Sequence, residues 1–270
     1  MGRRGRKAKR GSARKGARAK RGSATREPAT EGTGAKKAAG AEQGTGRRAG
    51  LFGSIRYLAT LAAIVLFIRV FLMGNYVIDS GSMENTLLVG DFLAVNKLAI
   101  GSRIPFTDIR IPGYSEPGRG EVLVFDPHHE ENMTIVKRVV GMPGDTLEMR
   151  DKVLYLNGEV HDEPYVETGG PRDYHEPEMR WQHGFLVGGA RDDYLGTWDN
   201  WGPLAVPADH YFMLGDNRDD SIDSRLWGFL EGWRFKGRVA FIYFSYDRDS
   251  FRPFPWITEV RGSRIGDRVR

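Results

Sequence analysis

The chain has 270 residues, enough for one large domain or two small ones with a substantial core. It contains no cysteine, which excludes disulfides, thiol catalysis and cysteine-ligated metals. The net charge of +5 is divided: residues 1–50 hold 16 Lys+Arg against 3 Glu, and residues 51–270 hold 24 against 32 acids. The globular part is therefore mildly acidic, which argues against a nucleic-acid-binding face on it.

Residues 1–50 are rich in Gly, Ala, Lys and Arg with almost no large apolar side chains. Such a segment buries too little surface to offset its ordering entropy, and a disordered basic tail is expected. Beside a membrane it would be drawn to anionic lipid; a nucleic-acid or ribosome contact is the alternative. Leu51 to Met73 is the candidate transmembrane helix. Its uninterrupted part, Leu58 to Ile68, is short for a bilayer that needs about 20 apolar residues. Extending it from Leu51 through Phe71 includes Arg56 and Arg69, both near the ends, where long side chains snorkel. A cleavable secretory signal is the rival, disfavoured by the long leading segment and the lack of a small-x-small site. The positive tail places the N-terminus in the cytoplasm and residues after about 74 outside.

From Tyr76 onward the texture is short β-rich runs broken by Gly, Pro and Asp. Phe92–Val95, Glu121–Phe125, Thr134–Val140, Val153–Leu156, Tyr211–Leu214 and Arg238–Phe244 read as strands. Asn157-Gly158 reads as a two-residue hairpin turn. The expectation is a mainly β domain, with a core over 74–159 and 207–247. Residues 160–206 are polar with weak periodicity and read as an inserted cap rather than core. Residues 248–270 read as a loosely packed polar tail.

Three stretches carry candidate chemistry. Ser80-Gly81-Ser82-Met83-Glu84-Asn85-Thr86-Leu87 follows the apolar run; Thr134–Gly141 sets Lys137 in a β-branched strand; Gly215–Arg225 is dense in turn formers and charge. A serine hydroxyl needs a neighbouring base, and lysine serves as one only when burial keeps it neutral. On alternation alone, Lys137 and Arg138 are equal candidates to point inward. His128-His129-Glu130-Glu131 reads as a solvated hairpin tip rather than a metal site.

Taken in order, the three stretches resemble the type I (leader) signal peptidases, membrane serine proteases with a Ser–Lys dyad. The resemblance implies a signal-peptidase-like β fold with Ser82 as nucleophile and Lys137 as general base, the latter followed by Gly141 to Asp145. It implies an oxyanion hole from the Ser80 hydroxyl and the Ser82 N–H. It implies support from Arg138, Asp216, Asp223 and Arg225, and a hydrogen bond from Ser221 to the lysine amine. Asn85 departs from the pattern, since proline is usual there, and reads as loosening the loop. Tyr76, Ile78, Leu87, Ile135 and Val136 are candidates for shallow pockets that accept small side chains. The implied partners are exported precursors and membrane lipid, with no metal or organic cofactor. Tyr76 and the insertion's tryptophans are candidates for the membrane interface, against burial as their commoner fate. Two rivals remain: a self-cleaving Ser–Lys repressor-type protease, and a silent membrane-tethered binding protein.

Overall fold

β-branched and aromatic runs fit a pleated, half-buried surface, and the Gly, Pro and Asp between them turn the chain. In a computed structural model, which describes residues 43–103, 107, 109–130, 133–170 and 173–269, those runs form strands. The basic tail expected over 1–50 lies outside the described residues up to 42. The chain divides into two units, Met1–Ile55 and Arg56–Arg270, and every strand belongs to the second.

The strands are β1 (Met73–Val77), β2 (Asp91–Asn96), a small ribbon of β3 (Gly101–Arg103) with β4 (Arg110–Pro112), β5 (Val122–Phe125) and β6 (Ile135–Gly141). Then come β7 (Thr146–Arg150), β8 (Val153–Leu156), β9 (Glu159–Val160), β10 (Trp201–Ala205), β11 (His210–Leu214), β12 (Leu230–Glu231) and the long β13 (Phe235–Ser245). A seven-stranded antiparallel sheet has the order β1-β2-β13-β5-β6-β11-β12, and a smaller one the order β10-β7-β8-β9. Register shifts along β13 against both β2 and β5 bend that strand and curl the large sheet. Asn157 and Gly158 have φ of 53° and 88°, the double left-handed turn that suits a tight hairpin between β8 and β9.

The structure bears on four expectations. The helix α1 spans Gln43–Phe67, ends in a π-helical turn over Ile68–Leu72, and Met73 already belongs to β1. Among the described residues no helix is long and apolar enough to cross a membrane. Its large apolar side chains between Ile55 and Phe67 are exposed, Leu58, Ile64 and Phe67 among them.

Second, residues 160–206 are not merely a cap. Met179, Leu186, Trp201, Leu204 and Val206 complete a core with Leu147, Met149 and Leu154 of the small sheet. Its periodicity was hidden because a 3-10 stretch, Pro177–Phe185, and a cis Gly202–Pro203 bond replace regular elements. Third, of the tryptophans there Trp198 and Trp201 are buried, the commoner of the two fates weighed, and Trp181 is half-buried.

Fourth, the C-terminal segment is tied down. The Arg264 guanidinium meets the fully buried Asp91 carboxylate at 2.6 Å and donates to the Thr86 carbonyl oxygen at 2.9 Å. Ser245 Oγ and the Leu88 N–H also donate to Asp91. Breaking one side of a buried pair leaves an uncompensated charge. Arg264→Met should therefore lower unfolding stability by about 3 kcal/mol in urea titration, whereas a loose tail would lose almost nothing.

Candidate active site

The chain leaving β1 reaches Ser80 in extended geometry and then tightens into a 3-10 turn, Gly81–Met83, anchored beneath by buried Met83. Ser82 sits in that turn. Lys137 lies in β6 opposite Leu123 of β5, and its Nζ donates to Ser82 Oγ at 2.5 Å. Lys137 is 4% exposed and Ser82 8%. Ser80 Oγ is 3.5 Å from Ser82 Oγ, at the outer edge of hydrogen bonding. Neither side of β6 faces water here: Arg138 is buried as well as Lys137, so strand alternation had no solvent side to reveal.

Burial lowers the Lys137 amine from its ordinary 10.5 to about 8, outweighing Asp223, which favours the charged form. Arg225 pushes the same way as burial, while Asp216 and Asp220 act with Asp223. An amine near 8 is neutral in a useful fraction at neutral pH, which an ordinary lysine is not.

The partners of Arg138 fix the strand to the third stretch. Its guanidinium grips Asp216 through Nε–Oδ1 at 2.8 Å and Nη2–Oδ2 at 2.6 Å, and donates to the Gly120 carbonyl oxygen. Asp216 also accepts from Thr86 Oγ1, so one carboxylate joins the Ser80–Leu87 loop, β6 and the Gly215–Arg225 turn. Asn217 adds a second tie: its N–H donates to the Ser82 carbonyl oxygen and its amide to that of Gly81. A Cβ at Gly215 would collide with the Ser221 side chain and the Ser82 carbonyl oxygen, so this close approach demands glycine.

Asp223 and Arg225 form a buried, two-pronged pair at 2.8 Å. Burial alone would raise the Asp223 carboxyl, but Arg225, Lys137 and the Gly215 N–H hold it below the usual carboxylate range. Ser221 is placed differently from expectation. Its Oγ is buried without a hydrogen-bond partner, so the expected bond to the lysine amine is absent. Lys137 is turned to Ser82 instead.

Tyr76, Ile78, Ile135 and Val136 line a small cleft of about 70 Å³ that also borders Ser80, Ser82 and Lys137. Leu87 does not line it. With no exposed surface it packs in the core beside Leu93 and Val95, because the turn after Ser82 folds inward.

Asn85 does not loosen its loop. It has φ of +78°, a conformation closed to proline, and its amide donates to the Tyr165 carbonyl oxygen at 3.0 Å. Tyr165 in turn stacks under Arg138 with its ring centre 3.8 Å from the guanidinium carbon. Glu163 grips Arg218 at 2.6 and 2.9 Å, and Glu167 bridges to Asn217. This strap, 163–167, was missed from sequence because its partners lie 27 to 80 positions away and it carries no motif. Among the described residues no group of His, Asp and Glu is placed to hold a metal ion.

The buried amine has a cost that shows in stability. Below pH 8 both folded and unfolded chains hold the proton, and the folded state carries the full penalty, roughly 3 kcal/mol. Between 8 and 10.5 the folded state releases it first, so stability rises with pH. Lys137→Met should thus be more stable than the parent at pH 7, with the gap closing toward pH 10.5; thermal unfolding across that range measures it. An equal or lower stability of the variant at pH 7 would contradict a desolvated amine.

The family model described as "Signal peptidase, peptidase S26" matches residues 51–244. A signal peptidase I of Pseudomonas aeruginosa is 43% identical over 170 residues, 61% of this chain and 58% of that protein. The chain thus spans just under three-fifths of that relative's length. A signal peptidase I of Rickettsia typhi is 32% identical over 239 residues, 75% of this chain and 88% of that protein. A crystal structure of a signal peptidase I from Enterococcus faecalis is 29% identical, covering 46% of this chain and 96% of that chain, with a TM-score of 0.31. On the extent of the family match, the chain belongs to the signal peptidases, peptidase family S26.

Proposed function

We propose that the chain is a membrane-bound serine endopeptidase that removes N-terminal signal peptides from exported precursors. The observation that carries this reading is the buried Lys137 amine at 2.5 Å from Ser82 Oγ. Neutral Nζ takes the hydroxyl proton as Oγ attacks the scissile carbonyl carbon. The developing oxyanion meets the Ser80 hydroxyl and the Ser82 N–H, donors of a kind worth roughly 10²–10³ in rate each. Lys137 then gives its proton to the departing amine, leaving an ester on Ser82. A water that yields its proton to Lys137 attacks the ester, and the serine is restored. Arg138, Asp216, Asp223 and Arg225 act as positioning residues around these atoms.

Substrate geometry follows from the sheet. β11 pairs with β6 only from Arg138 onward, so the edge of β6 at Ile135–Lys137 is open beside the small cleft. An extended peptide adds there by backbone hydrogen bonds. A cleft of about 70 Å³ suits methyl-sized side chains, in keeping with small residues such as alanine before the cut.

The exposed apolar stretch from Ile55 to Ile68 attaches the enzyme to membrane lipid in a single pass. The 16 basic residues in 1–50 keep the N-terminus cytoplasmic and the β domain on the outer side. A precursor whose apolar segment is still in the bilayer then presents its cleavage site at the height of Ser82.

The purified protein should cleave a precursor peptide with alanine at the first and third positions before the cut. Ser82→Ala and Lys137→Met should each lower kcat/KM by on the order of 10³ or more. The parent's rate should rise with pH as the amine deprotonates near 8. Substrate binding without cleavage would support a silent binding protein instead.

A further inference from the structure

Ser82 and Lys137 stand where two clefts meet. The smaller, beside Tyr76 and Val136, is the one assigned above to side chains before the cut. The larger, about 410 Å³, extends from Ser82 past Ser221 and Ile222 toward Glu130, Tyr174 and Trp198. A peptide bond lying over Ser82 sends the chain before it to one side and the chain after it to the other. With the acyl side filled, the larger cleft is left for the departing segment.

Two features of its lining point to a peptide ligand. Ser221 Oγ and Trp198 Nε1 both lack a hydrogen-bond partner, on residues only 3% and 8% exposed. Buried polar groups are normally satisfied, and an extended backbone brings both carbonyl and N–H groups. Charge is the second feature. Asp219 is held by Lys152 at 2.9 Å, but Asp220 and Glu130 are exposed and form no salt bridge among the described residues. Asp220 lies against the nucleophile loop, its Oδ2 3.4 Å from where a Cβ on Gly81 would stand. His129, next to Glu130, is held below the ordinary imidazole range by burial and by His128, so it brings little compensating charge near neutral pH. Lys137, the cation of the lining, is neutral when it acts as base.

We infer that the larger cleft binds the first residues released after the cut, and that Asp220 and Glu130 set its charge preference. Cationic side chains there are favoured and carboxylates are disfavoured. This rests on the peptidase reading. Exposed charges several ångströms apart give modest effects, so about a three- to tenfold spread in kcat/KM is expected.

The test uses three quenched-fluorescent peptides, identical before the scissile bond and carrying Lys, Gln or Glu at the second and third positions after it. At low salt the parent enzyme should cleave them in the order Lys, Gln, Glu. The Lys-to-Glu ratio should fall toward one in the D220N/E130Q double variant, whatever its absolute rate, and in 1 M salt, where screening acts within about 3 Å. Equal or reversed rates in the parent, or a ratio that the double variant or salt leaves intact, would overturn the inference while the peptidase reading stands. Failure to cleave any of the three would overturn that reading and this inference with it.

Discussion

A lysine amine does not leave water willingly, and this fold removes one and sets it against a serine hydroxyl. The contact between Lys137 Nζ and Ser82 Oγ joins residues 55 positions apart, on an interior strand and on a turn outside the sheet. Everything near it serves one of two ends. Val136, Val139 and Leu123 keep the surroundings poor in water, and a web of buried ion pairs holds the turn against the strand.

Those ion pairs are poor candidates for stabilising the fold as such. Arg138–Asp216, Arg225–Asp223 and Arg218–Glu163 are buried on both sides, and the desolvation of such pairs offsets much of their attraction. What they supply is position. Each guanidinium makes two parallel bonds to its carboxylate, which fixes direction as well as distance. Asp216 is the node, because it reaches both Arg138 on β6 and Thr86 on the loop that carries Ser82. The strap at 163–167 closes the arrangement from outside, with Asn85 and Tyr165 making the contact.

Much of this was legible in the residues. Six strands were found within a residue or three, while β1 and the alternating β7 were missed, and the Asn157-Gly158 turn announced its hairpin because such residues tolerate two left-handed positions. The three motifs converge because they flank neighbouring elements. What stayed hidden was long-range or irregular. β10 has a Gly-Pro in its middle, and its core residues show no period. Leu87 was placed by its position beside Ser82 and Ser221 by likeness, and neither side chain sits as expected: the inward turn buries the first, and the orientation of Lys137 leaves the second unpartnered. The left-handed φ of Asn85 depends on a partner 80 positions away, which no local pattern encodes.

The central claim is an amine kept neutral at moderate pH by dryness, and so free to take a proton, and its own titration tests it most directly. Lysine labelled with ¹³C at Cε, with the Lys137 signal assigned by its loss in Lys137→Met, reports that proton by NMR. A midpoint near 8 is expected from burial against the opposing pull of Asp223. A midpoint at the ordinary 10.5 would mean a solvated amine, and the Ser82–Lys137 account would fail with it.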